Sequence, residues 1–293
     1  MRSMTLWRYL TLSPTLLLFL LLTVLPLASL FALSVHEVEW RERVAHWDWV
    51  GLSNYTRLLK DTLFTAGIVN TLIFAVAAVS FQMVLGFWLA LLTLRVTRGQ
   101  LVYRTIFILP ILVPGIIIGA IWKLMYSYDF GVINQVLMFL GLTPQDWLGS
   151  SSLALWSVIV VDVWHWTPFC FLLLLAGLQS LPEDIYEASR LDGATGWREL
   201  RYITLPLMMP SIIVTFLFRM ILAFKVFDEV YLLTGGGPGT STEVISFTIY
   251  RRFFTEDQAG YGAAMSVATF AVIALAIASV SRIMRRKDSE ADS

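Results

Sequence analysis

Two stretches of this chain run without a single charged residue for longer than a lipid bilayer is thick, and that restricts the fold more than any motif does. They extend from Tyr9 to Val35 and from Thr62 to Leu94. At about 1.5 Å of rise per residue, a helix over either stretch crosses a hydrocarbon core of about 30 Å. Composition agrees: 57% of the 293 residues are hydrophobic and only 14% charged, with a mean hydropathy of +0.73. A soluble domain carries about a quarter charged residues. The expected fold is an all-α membrane protein of about six transmembrane helices, forming a single domain over residues 1–293.

The expected spans cover about 10–35, 68–92, 106–125, 153–178, 207–227 and 260–281. The first has a longer apolar core than a signal peptide and further spans follow it, so it is read as retained. The third is punctuated by Pro110 and Pro114, which a helix bundle tolerates when neighbours satisfy the freed carbonyls. Phe130 to Leu142 is apolar but short and contains Asn134 and Gln135, so it is expected to lie at the interface or to re-enter.

Six crossings put both termini on one side of the membrane. The N-terminus, the 95–104 loop, the 180–206 loop and the tail hold twelve Lys and Arg residues, against six in the opposite loops. The positive-inside rule then predicts cytoplasmic termini and a cytoplasmic 180–206 loop. Trp40, Trp47 and Trp49 fall in an exterior segment and are expected to form an interfacial aromatic belt.

Lys plus Arg equals Asp plus Glu at 21 each, which gives no basic excess for nucleic acid. Cys170 is the only cysteine, so no intramolecular disulfide forms, and His36, His46 and His165 lack zinc-ligand spacing. No bound metal is expected.

The 180–206 loop is longer than a turn between two spans requires. Ser180 and Glu183 have capping-box spacing and Pro182 suits a first turn, so a short helix is expected to start here. Glu183 and Asp184 favour its positive end, and Gly193 can take the left-handed conformation that stops it. The helix presents Glu187 and Arg190 to the cytoplasm. Glu187-Ala188-Ser189, then Gly193, then Ile203-Thr204-Leu205-Pro206 resemble the coupling loop of ATP-binding-cassette importer permeases. Ser189 stands where the family usually has a second alanine, and Leu200 where a phenylalanine is common.

The resemblance covers most of the chain. Val50-Gly51-Leu52-Ser53-Asn54-Tyr55, Leu175-Ala176-Gly177-Leu178-Gln179 and Leu233-Thr234-Gly235-Gly236-Gly237-Pro238 are similar to the carbohydrate-uptake branch, which imports oligosaccharides or glycerol-phosphate compounds. It implies a type I, MetI-like core in a bacterial or archaeal plasma (inner) membrane. It also implies two ATP-binding subunits that carry the ATP and Mg, a second permease expected to be a different chain, and an extracytoplasmic solute-binding protein. On this reading Glu187, Ala188, Ser189, Arg190, Asp192 and Gly193 couple to the ATPase, and the Glu187 carboxylate accepts a charge-assisted bond from a partner arginine. Gly235, Gly236, Gly237 and Pro238 are expected to contact the binding protein. No Gly-Lys-Ser/Thr follows the glycine run, so it is not a phosphate-binding loop and no ATPase activity is expected here.

Ionisable residues inside spans are expensive and mark cavities or partners. Asp162, His165 and Trp166 share a face of the fourth helix, while Arg219, Lys225 and Asp228 lie in or after the fifth. With Trp164, Phe224, Phe227 and Tyr231 they form the expected solute pathway, in which aromatic faces stack on sugar rings. The competing reading pairs Asp162 with His165 and Lys225 with Asp228 structurally. A stand-alone secondary transporter using these charges as an ion relay is the alternative function, but it leaves the coupling loop unexplained. A membrane enzyme would need a third partner beside Asp162 and His165.

Overall fold

The computed structural model describes residues 2–42, 44–95 and 99–291. Arg43, Arg98 and Ser293 lie outside the described residues. So do the side chains of Arg2, Arg8, Trp40, Arg41, Arg95, Arg282, Arg285, Arg286 and Lys287, on which part of the charge count rests. The chain divides into two compact units, Met1–Thr65 with Thr248–Ser293, and Ala66–Phe247.

In the first unit, α1 (Arg2–Phe19) continues through a widened π turn at Leu20–Val24 into α2 (Leu25–Ser34). Pro26 comes two residues after that turn; proline lacks an N–H and clashes with the preceding turn, and the widening accommodates it. A two-stranded antiparallel hairpin comes next, β1 (His36–Arg41) with β2 (Val44–Trp49), pairing His36 with Trp49 and Val38 with Trp47. The all-α expectation missed this hairpin. Its signal is the alternation of polar and apolar residues over Glu37-Val38-Glu39-Trp40-Arg41 and again over Ala45-His46-Trp47-Asp48-Trp49, a period of two that a strand turns into two distinct faces.

After α3 (Ser53–Leu58), Asp61 starts α4 (Thr62–Arg95) by accepting the Leu63 and Phe64 amides at 2.8 and 3.2 Å. Its second oxygen accepts Tyr261 Oη at 2.7 Å and Arg252 Nη2 at 3.2 Å. Burial pushes the Asp61 carboxyl up. The Tyr261 hydroxyl, the two amides and the Arg252 charge outweigh it and hold the group below the usual carboxylate range.

The second unit holds most of α4, α5 (Gln100–Leu112), α6 (Gly115–Met125), α7 (Val132–Phe139) and α8 (Ala154–Gln179). Then come α9 (Glu183–Leu191), the single turn α10 (Trp197–Glu199), a second π turn at Leu200–Thr204 just before Pro206, and α11 (Leu205–Ala223). The short α12 (Asp228–Leu233) precedes α13 (Ile245–Tyr250), which leads back into the first unit and α14 (Ala259–Ala291).

Each expected span coincides with helix, but not all in the form expected. Among the described residues four helices are long and apolar enough to cross a membrane: Thr11–Ser34, Thr62–Leu94, Ala154–Gln179 and Trp197–Ala223. The third expected span is instead two helices, Leu101–Leu112 and Gly115–Met125, bent by 93°. Proline forces the preceding residue out of helical geometry, and Val113 is extended before Pro114 for that reason. The fifth span ends at Ala223, not Phe227, which leaves Lys225 and Asp228 outside α11. Ala259–Leu275 is a shorter apolar helix among the described residues. The short apolar segment after α6 forms α7, only eight residues long. Buried Asn134 holds it by donating to the Tyr128 and Gln145 carbonyls and accepting from Trp147 Nε1 at 2.9 Å.

Candidate functional site: a polar cavity at a broken helix and an exposed loop helix

The bend between α5 and α6 opens a cavity of about 320 Å³, lined by Pro114, Gly115, Asp162, His165, Trp166, Lys225, Phe227, Asp228 and Glu229 among others. Non-helical backbone at membrane depth is tolerated where it lines such a space. Gly115 and Gly119, one turn apart on α6, let α12 approach closely. A Cβ at Gly115 would fall 2.9 Å from Asp228 Oδ2, and one at Gly119 2.9 Å from Leu232. Lys123 Nζ donates to the Leu232 carbonyl at 2.8 Å, and Ser246 Oγ to the Val226 carbonyl, fixing the turn that carries Lys225.

Two sets of paired groups form the back of the cavity. Arg219 Nη2 donates to Asp162 Oδ2, Arg219 Nε to Gln82 Oε1 at 2.7 Å, and Gln82 Nε2 returns to Asp162 Oδ2 at 2.9 Å. This closed triangle joins α4, α8 and α11, and all three residues are buried. Arg219 also sits 5.1 Å from the Trp166 ring centroid. His165 Nδ1 bonds Glu229 Oε1 at 3.1 Å, likewise buried. The structural pairing therefore differs from the one the spacing suggests: Asp162 pairs with Arg219, not His165, and His165 pairs with Glu229. A helix face fixes which residues are neighbours on one helix, and here the partners come from other helices.

The structure brings Asp162, Lys225, Phe227 and Asp228 to one cavity. Arg219 lies behind it, 1% exposed. Trp164 points elsewhere, into an apolar groove of about 730 Å³ with Trp122 and Trp156. Phe224 is buried, and Tyr231 stacks on Phe227 with ring centroids 5.4 Å apart. Sequence reasoning missed Gln82 and Glu229. An amide in an otherwise apolar span was the available signal for Gln82; Glu229 had none beyond its neighbour Asp228.

The loop after α8 carries the second candidate site. The expected capping box does not form: Ser180 Oγ donates to Gly177 O at 2.7 Å and closes α8, while Pro182 precedes α9 without a side-chain cap. The stop is as expected. Gly193 has φ +80°, with its N–H on Arg190 O at 3.1 Å and the Ala194 N–H on Ser189 O at 2.9 Å, the paired bonds of a Schellman motif. Ser189 is buried and bonds Tyr186 O, and Tyr186 Oη reaches Thr204 Oγ1, which pins the helix to the start of α11. Glu187, Ala188, Arg190, Asp192 and Gly193 are exposed. Arg190 Nε lies 3.6 Å from Glu199 Oε2, and Glu187 borders a cavity of about 760 Å³. Leu191 is 90% exposed and Trp197 63%, an apolar surface that a soluble face seldom shows. In the glycine run, Gly235 is exposed, Gly236 is buried against Glu243 and Phe247, and Gly237 and Pro238 are half-buried.

Residues 82–289 match the family described as the binding-protein-dependent transport system inner membrane component. The chain belongs to this family. The permease is 40% identical over 266 residues to the trehalose/maltose transport system permease protein MalF of Thermococcus litoralis, covering 90% of this chain and 89% of that one. It is 34% identical over 279 residues to the sulfoquinovosyl glycerol transport system permease protein SmoG of Agrobacterium fabrum, covering 95% and 90%. It superposes with a TM-score of 0.84 and 25% identity on a chain of a bacterial ABC transporter involved in the import of the acidic polysaccharide alginate, over 97% of this chain and 96% of that one. The same score, at 24% identity, is found for an alginate transporter in complex with an alginate-bound periplasmic protein.

Proposed function

We propose that this permease passes a sugar or sugar derivative across the inner membrane through the cavity at the α5–α6 bend. It works with two ATP-binding subunits, a second permease of different sequence and an extracytoplasmic solute-binding protein. The observation that carries the reading is the juxtaposition of flat aromatic faces, Trp166 and Phe227, with Lys225, Asp228 and His165. Sugar hydroxyls donate and accept at once while the ring faces are apolar, and this lining offers both kinds of surface. The lining holds Asp162, Asp228 and Glu229 against Lys225, and Arg219 behind it is paired with Asp162, so the lining has no cationic excess. That favours a neutral sugar over an anionic one.

The loop helix α9 is the coupling element on this reading. Its exposed Glu187 receives an arginine of an ATP-binding subunit, and Leu191 and Trp197 are covered on docking. ATP and Mg stay on those subunits, both termini and the loop are cytoplasmic, and the turn at Gly235, Gly236, Gly237 and Pro238 meets the solute-binding protein.

The test is to purify the permease with its co-expressed partners, reconstitute the complex and measure ATP hydrolysis with a panel of neutral and anionic sugars. Stimulation by a neutral sugar, lost in the Glu187→Ala complex, is expected. Uptake by the permease alone, driven by an ion gradient, would overturn the reading.

A further inference from the structure

The β1–β2 hairpin is not used by the pathway or by the coupling loop, yet it is built with two unlike faces. Cross-strand partners share a face, so the register places His36, Val38, Trp47 and Trp49 together and Glu37, Glu39, His46 and Asp48 on the other side. The first face is assembled before any partner arrives: the His36 ring sits edge-on to both Trp47 and Trp49, at 5.6 and 5.1 Å. Trp47 is nevertheless 49% exposed and Trp49 71%.

The base of the hairpin is tied to its neighbours by hydrogen bonds. Asn54 Nδ2 donates to the Ser34 and His36 carbonyls at 3.1 and 3.2 Å, Tyr55 Oη to Ser34 Oγ at 2.8 Å, and the Val50 N–H to Val35 O at 3.0 Å. Gly260 of α14 lies against the His36 carbonyl, where no Cβ fits.

We propose that this hairpin lies flat on the membrane as an interfacial anchor, its Trp47 and Trp49 face in the lipid headgroup layer and its Glu37, Glu39 and Asp48 face in water. Three observations select lipid as the occupant. The hairpin is continuous with the span Thr11–Ser34, so its base starts at the bilayer boundary. Tryptophan favours that layer, where its ring is apolar and its N–H stays wet. The acidic face would be repelled by anionic headgroups, which leaves the aromatic face for the lipid.

Distance then decides the orientation. Strands rise about 3.4 Å per residue, so in an upright hairpin Trp49 stands roughly 7 Å and Trp47 roughly 14 Å beyond Ser34. The headgroup layer is only about 5 to 8 Å deep on each side. An upright hairpin lifts Trp47 into water, whereas a flat one keeps both rings in the layer.

The test uses the full-length chain in nanodiscs, with spin labels at Trp47→Cys, Trp49→Cys, His46→Cys and Asp48→Cys; Cys170 is buried and stays unlabelled. The ratio of collisions with dioxygen to collisions with a water-soluble nickel chelate is expected to be high at 47 and 49 and low at 46 and 48, with similar depths at 47 and 49. Nickel access at all four positions overturns the anchor, and a much shallower label at 47 than at 49 overturns the flat orientation. A variant that keeps aromatic packing guards against misfolding. The fluorescence difference between wild type and Trp47→Phe/Trp49→Phe should be quenched by lipids brominated high on the acyl chain, and absence of that quenching also overturns the proposal.

Discussion

Two opposite-charge contacts in this permease, Arg219 with Asp162 and Arg190 with Glu199, use the same chemistry and do different work. The first is sealed between α8 and α11, with side chains 1% and 3% exposed and Gln82 filling the remaining bonding positions. The second spans the loop after α8, with Arg190 63% exposed and its nearest approach 3.6 Å. A buried ion pair has given up its hydration and depends on its partner, so breaking it leaves an uncompensated charge in an apolar surrounding. A solvated pair contributes little to stability, which leaves its charges available to another molecule. Burial therefore separates the charges that hold the fold from those that water already satisfies.

The strongest way to break this comparison is Arg219→Met. It strands Asp162 and should cost about 3 to 5 kcal/mol, seen as loss of monodisperse protein in detergent. Adding Asp162→Asn should recover part of the yield, and no recovery would mean that packing of the arginine stem against Trp166 dominates. Next comes Glu187→Ala, which should leave the melting temperature almost unchanged, within about 0.5 kcal/mol for an exposed site, while solute-stimulated ATP hydrolysis falls about tenfold or more. A destabilised Glu187→Ala protein would place that carboxylate among the structural charges instead.

Lys225→Met tests the middle ground, because Lys225 is exposed yet lines the cavity. Folding and assembly should be normal while the preference among sugars shifts, read as a change of a few-fold in the solute concentration that half-saturates transport. The smallest effect is expected at Asp61. Asp61→Ala removes the cap of α4 and should cost about 1 kcal/mol, and Asp61→Asn, which still caps, should cost less. Because the folded protein holds this carboxyl below its ordinary value, its stabilisation is present above about pH 4, the unfolded value. It is lost as pH falls through the lower folded value. Wild type should thus lose stability below pH 4 by an increment that Asp61→Asn lacks, measured by thermal melts across pH.

How far the sequence could be read varied with the range of the interaction involved. Charge-free runs located the helices because lipid imposes one requirement on every residue of a span. Gly193 announced the end of α9, since a left-handed stop is a property of a single residue. The hairpin is only weakly announced, because its period of two lasts just five residues in each strand and is broken by the charged run Arg41-Glu42-Arg43 between them. Ser180 and Glu183 had capping spacing, but Ser180 lay within reach of the α8 carbonyls and closed that helix instead. Pro114 signalled a disturbance in the third span without giving the size of the bend.

The sequence by itself determined that this chain is a helical membrane protein, where its apolar helices lie, and that its loop after the fourth span carries a short helix stopped at Gly193, because those features follow from hydropathy and local backbone chemistry. The tertiary structure alone decided that Asp162 joins Arg219 and Gln82, that His165 joins Glu229, and that Lys225 and Asp228 meet Trp166 at the bend between α5 and α6. Those partners lie 57 to 137 residues apart in the pairs around Arg219 and 64 apart for His165 and Glu229. Periodicity along one helix specifies which face a charge occupies, and only the packing of helices against one another specifies what that face meets.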